Sequence, residues 1–198
     1  PFTLLSPDTR SLLLLGATGT FPIDRLHRWW TLLSANYLHA GLLHILFNMF
    51  ALYQLGPLVI REYGGCRMFI IYTLSGVFGY WVSYLAGVRL TIGASAAVCG
   101  LIGAILYYAK SRGGTHGRML FGQVGGWVLG IFLFGFLVPG INNWGHGGGI
   151  LAGAALGFVL GYNDKKAESF VHKLAAGICT LSTLLVLVWA LGTALYGF

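Results

Sequence analysis

Apolar residues in this chain come in long, nearly unbroken blocks rather than alternating with polar ones. Blocks at 38–59, 68–86, 95–109, 119–138, 146–162 and 174–195 approach the roughly 20 residues that carry a helix across a hydrocarbon layer about 30 Å thick. In such a layer every backbone N–H and C=O must be satisfied internally, which favours helices. The pattern predicts an all-α, polytopic transmembrane helix bundle with six membrane helices. The segment 16–37 differs, because Asp24, Arg25, His27 and Arg28 are mixed with Leu26, Trp29, Trp30, Leu32 and Leu33. A tryptophan-bearing amphipathic stretch of this kind is expected to lie in the membrane interface.

Composition agrees with the pattern. Of 198 residues, 57% are hydrophobic and only 9% charged, with a mean hydropathy of +0.77, whereas a soluble domain carries about a quarter charged residues. The net charge of +7 does not point to nucleic acid, because the basic residues lie between apolar blocks instead of forming a soluble basic patch. The three cysteines, Cys66, Cys99 and Cys179, are odd in number and lack CxxC spacing, so neither a disulfide framework nor a metal site is expected. They are read as packing residues, and no cofactor is implied. The stretch Phe2 to Leu15 is interrupted by Pro7, Asp8 and Arg10, which argues against a signal peptide. One membrane domain over 1–198 is expected: an extracytoplasmic or interfacial segment at 1–37, core helices at 38–162, and a cytoplasmic linker with an extra C-terminal helix at 163–198.

The loop charges orient the bundle. Arg61, Arg67, Lys110, Arg112, Arg118, Lys165, Lys166 and Lys173 fall on alternate connections and make up eight of the twelve basic residues, so that face is expected to be cytoplasmic. The blocks beginning near Leu38, Ser95 and His146 then enter from the outer face. Their first turns deliver His39, His44, Asn48, Ser95 and His146 to one layer. Polar groups within a membrane are costly and usually meet one another, so this convergence suggests a site.

The residue types suggest its chemistry. A serine hydroxyl becomes a useful nucleophile when a base takes its proton, and a histidine serves near neutrality. No Asp or Glu falls within the six predicted spans, so Ser95 and His146 read as a dyad. His44 and Asn48, four apart on one helix face, are candidate oxyanion donors with the Ser95 backbone N–H at a helix start. His39 sits about 140° around the helix from His44 and is expected to tie the interfacial segment to the helix. Gly93, Gly100, Gly103, Gly149 and Gly153 permit close helix approach. Taken singly, Ser95 also reads as a packing residue, His146 as a hydrated helix-entry histidine, and His39 with His44 as haem or metal ligands.

At these residues the chain resembles the rhomboid family of intramembrane serine proteases. His39-Ala-Gly-Leu-Leu-His44-Ile-Leu-Phe-Asn48 is similar to the family's HxxxxHxxxN motif, Gly93-Ala-Ser95-Ala to its GxSG motif, and His146-Gly-Gly-Gly149-Ile-Leu-Ala-Gly153 to its HxxGxxxG motif. The resemblance implies Ser95 as nucleophile, His146 as base, and Ser95 N–H, His44 and Asn48 around the oxyanion. It implies cleavage of single-pass transmembrane proteins near their outer ends, with a prokaryotic plasma membrane as the expected location.

The chain departs from the family pattern at four points. The usual first membrane helix is absent here and expected upstream of Pro1. Ala96 replaces a preferred Gly, Cys99 replaces an aromatic that stacks on the imidazole, and Trp29-Trp30-Thr31 resembles a loop Trp-Arg motif without its Arg. Two other functions stay open at this point: a catalytically silent relative that binds membrane clients, and a histidine-lined channel or haem carrier.

Overall fold

The computed structural model describes residues 7–164 and 167–196, which form a helical bundle without strands among them. Short helices α1 (Thr9–Leu14) and α2 (Thr31–Ser34), with a π turn at Phe21–Arg25 and a 3-10 turn at Ala35–Tyr37, precede six long ones. These are α3 (Leu42–Tyr63), α4 (Gly65–Leu85), α5 (Ser95–Arg112), α6 (Gly114–Leu137), α7 (Asn143–Leu160) and α8 (Phe170–Tyr196).

The six expected blocks correspond to α3–α8, but six membrane spans is too simple a count. By length and composition α3, α4, α6 and α8 can each cross a membrane. Helices α5 and α7, eighteen residues each, do not qualify alone, because their apolar runs are diluted by polar ends and glycines. Helix α5 belongs to the inside of the bundle, and α7 packs on it through a glycine face while its other face stays exposed. Twelve of the eighteen α5 residues are buried, while large apolar side chains such as Phe47, Phe50, Leu129, Phe136 and Leu185 stay exposed on α3, α6 and α8. That is the arrangement expected where lipid is the outer solvent.

Glycine sets how closely the inner helices approach. A Cβ on Gly153 would lie 1.8 Å from the Gly100 carbonyl oxygen, one on Gly149 2.2 Å from that of Ala96, and one on Gly103 2.0 Å from that of Ile150. These three positions form the α5–α7 seam, and no larger residue fits there without parting the helices. Helix α6 is held differently. Its buried residues, Gly117, Leu120 and Val124, all lie in its first half, so its second half packs less deeply against the bundle.

Two sequence expectations change at the end of the bundle where α3 meets α4. Helix α3 extends past 59 to Tyr63 and places Glu62, an acid, in its last turn. The α3–α4 connection shrinks to Gly64, whose φ of 91° favours glycine. Arg67 is therefore no loop charge but a fully buried residue of α4. Its guanidinium donates to the carbonyls of Tyr63 and Ala167 at 3.1 and 2.8 Å and to Asn163 Oδ1 at 3.4 Å. Glu168 accepts the Arg67 backbone N–H at 2.9 Å, while Arg61 pairs with Glu62 and Arg112 with Asp164. Lys165 and Lys166 lie outside the described residues. Fewer free charges therefore lie at this end of the bundle than the sequence suggested.

The leading segment is more than an amphipathic interfacial stretch. Ala17, Thr18, Ile23, Thr31, Ser34, Ala35 and Asn36 are buried. Thr31 Oγ1 donates to Thr18 Oγ1 at 3.0 Å and Ser34 Oγ to the Gly16 carbonyl at 2.8 Å. Thr18 and Thr91 exchange backbone hydrogen bonds at 3.1 and 2.7 Å, and Thr20 N–H donates to Val88. The segment is thereby strapped to the α4–α5 loop. Arg28 supplies the anchoring that the Trp29-Trp30-Thr31 pattern left in doubt: it lies 6.0 Å from the Trp30 ring centroid and donates to the Leu13 carbonyl at 3.2 Å.

Candidate active site

Ser95 is the first residue of α5 and His146 lies in the first turn of α7. The glycine seam brings these helices together, and His146 Nε2 stands 2.9 Å from Ser95 Oγ, within proton-transfer reach. His146 is buried, and its Nδ1 has no hydrogen-bond partner among the described residues. Among the described residues no carboxylate bonds to the ring; Glu62 sits at the far end of α3.

The stretch before Ser95 is fixed from both sides. Gly93 N–H donates to the Ala35 carbonyl at 2.9 Å, and the buried Tyr80 hydroxyl donates to the Gly93 carbonyl. Gly93 has φ 125°, and a Cβ there would meet His44 Nε2 at 2.6 Å, so both backbone and space require glycine. One residue later, Ala94 caps α5, leaving Ser95 N–H among the helix-start donors that lack an internal partner.

His44 and Asn48 both border the same cavity as Ser95 and His146, a space of about 660 Å³. His44 Nδ1 accepts the Ala40 N–H at 3.2 Å, which puts the ring proton on Nε2 in the neutral imidazole. His44 thus offers a donor beside Gly93. Asn48 Nδ2 donates to the His44 carbonyl at 2.9 Å and keeps its second hydrogen. His39 is not on the helix at all, since α3 begins at Leu42, so the angular argument does not apply. Its ring packs edge-on against His44, with centroids 5.0 Å apart. Burial, and then the neighbouring His44, hold the His39 pKa below the ordinary histidine range. Among the described residues no three His, Cys, Asp or Glu side chains cluster as metal ligands.

Ala96 and Cys99 have clear places. Ala96 packs with Ala35 and Tyr80, and its methyl lies 3.1 Å from the ideal Cβ position of Gly79. The extra carbon relative to glycine is thus taken up against α4. Cys99 is buried at the cavity wall and faces the Gly149 backbone. Phe47 and Ala51 of α3 and Ile131 and Phe134 of α6 extend the cavity as an apolar trough.

Sequence reasoning missed two residues. Tyr80 looked like one more apolar residue of α4, and only the fold brings its hydroxyl to Gly93. Asn142 is the N-cap of α7, and its Oδ1 accepts Gly145 N–H at 2.9 Å. Asn before an apolar block is a readable capping signal.

Comparison with known proteins fits this geometry. The rhomboid domain family matches residues 26–163. The chain is 34% identical over 97% of its length to rhomboid protease GluP of Bacillus subtilis, covering 36% of that protein. It is 32% identical to RHOMBOID-like protein 4 of Arabidopsis thaliana over 93% of its length, covering 50% of that relative. It is 31% identical to the putative rhomboid protease YdcA of Bacillus subtilis over 66% of its length, covering 67% of that protein. The chain therefore spans about a third to a half of the first two relatives. With matching motifs, an all-α membrane bundle and a family domain over most of its length, the chain belongs to the rhomboid family.

Proposed function

We propose that this integral membrane protein is a serine endopeptidase that cleaves transmembrane substrate proteins near the outer face of the bilayer. The observation that carries the reading is the 2.9 Å contact between Ser95 Oγ and His146 Nε2 at the wall of a cavity. In the proposed reaction His146 Nε2 takes the Ser95 proton as Oγ bonds to the scissile carbonyl carbon. The carbonyl oxygen becomes an oxyanion, which Ser95 N–H, His44 Nε2–H and the second Asn48 hydrogen can receive. Imidazolium then returns the proton to the departing amine, leaving an ester on Ser95. A water, deprotonated by the same imidazole, hydrolyses that ester and restores the hydroxyl.

The apolar trough between α3 and α6 suits an unwound stretch of a membrane-spanning client, and the positive connections favour an extracytoplasmic site in a prokaryotic plasma membrane. The test is covalent labelling by a fluorophosphonate in lipid nanodiscs, read by mass spectrometry. Labelling on Ser95, with turnover of a transmembrane substrate lost in both Ser95→Ala and His146→Ala, supports the assignment. A folded protein that never labels and cleaves nothing would instead be a silent relative that binds clients.

A further inference from the structure

Among the described residues no third side chain bonds the His146 imidazole, so something else must hold the base in register with the nucleophile. We infer that Asn142 is this positioning residue. Its side-chain amide is fully used, and every bond ends on an element of the site. Oδ1 accepts Gly145 N–H at 2.9 Å, immediately before His146. Nδ2 donates to Ser83 Oγ at 2.6 Å, in the last turns of α4, and to Thr91 Oγ1 at 3.0 Å, on the loop that leads to Ser95. The Asn142 carbonyl accepts the His146 N–H at 3.1 Å. One half-buried side chain thus joins the strand of chain before the nucleophile to the first turn of the helix that carries the base.

The chemistry requires both halves of the amide. A serine at this position could still cap α7, but its single short hydroxyl cannot span to both Ser83 and Thr91. Losing the bridge frees the α7 start to shift against the Ser95 loop, and misplacement by about 1 Å costs on the order of 100-fold in rate. Asn142 does not touch the reacting atoms in this scheme; it acts through His146.

The inference rests on the protease reading, so the experiment carries a second readout independent of turnover. Asn142→Ser, Asn142→Ala and Ser83→Ala/Thr91→Val are compared with the unaltered chain in nanodiscs for kcat, KM and melting temperature. Nitrogen-15 NMR of the His146 ring is recorded in parallel, since Nε2 reports its hydrogen bond to Ser95 whether or not the protein cleaves anything. The expected result is a fall in kcat of about 10- to 100-fold for Asn142→Ser, with KM and melting temperature little changed and the Nε2 signal moved toward that of Ser95→Ala. Adding Asn142→Ser to Ser83→Ala/Thr91→Val should cost nothing more, because the bridge is already gone. An Asn142→Ser chain with the original Nε2 signal overturns the inference, as does one whose losses track melting temperature alone. A wild-type chain with the hydrogen-bonded signal but no labelling removes the protease reading and leaves the Asn142 bridge standing.

Discussion

At the residue scale the site depends on small groups in tightly bounded places. Asn48→Ala should leave binding of a substrate nearly unchanged and slow the chemical step by about 100-fold, the cost typical of a lost oxyanion donor; single-turnover rates check this, and an unaltered rate removes Asn48 from the hole. Ala96→Gly should not accelerate the reaction. Its methyl faces Gly79, away from the oxyanion donors, and glycine inside a helix costs about 1 kcal/mol. The expected outcome is a lower melting temperature with kcat intact. The polar residues of this layer were legible because histidine, asparagine and serine are conspicuous in apolar blocks. Tyr80 was not, since a tyrosine in a membrane helix reads as an apolar body until the fold gives its hydroxyl a partner.

At the element scale the helices divide into those held by glycine and those held loosely. Gly153→Ala should be severe, because its new methyl meets the Gly100 backbone and overpacking costs about 1–3 kcal/mol. Labelling of Ser95 should fall with it as α5 and α7 part. Gly135→Ala predicts the opposite effect on turnover. In the second half of α6 its Cβ would meet Asn143 Oδ1 at 2.0 Å, so the Asn143 side chain must swing out of its place between α6 and the start of α7, which loosens their contact. Cleavage of a membrane-embedded substrate should then rise while cleavage of a small soluble ester stays level. Helix existence was readable from the apolar blocks, but helix ends were not. A glycine pair at 64–65 gives no sign that α3 and α4 meet across a single residue, so Arg61 and Arg67 read as loop charges although both lie within helices.

At the scale of the whole molecule, the buried Arg67 ties the α7–α8 connection to the α3–α4 corner. Arg67→Met should strand the Asn163 and Ala167 oxygens and cost about 3 kcal/mol. The melting temperature in detergent should drop, with kcat preserved well below it; a matching fall in both would mean that the corner also governs the distant site. This knot was hidden because a lone arginine between apolar blocks is indistinguishable from an orienting loop charge until its depth is known. The opposite end has a similar bond, the backbone exchange between Thr18 and Thr91. Since Thr91 belongs to the stretch that leads to Ser95, raising the segment over the cavity would pull Ser95 away from His146. On the proposed protease reading the doorway would lie on the lipid side, beside α6, and stiffer, thicker bilayers should throttle turnover more than any burden placed on that segment.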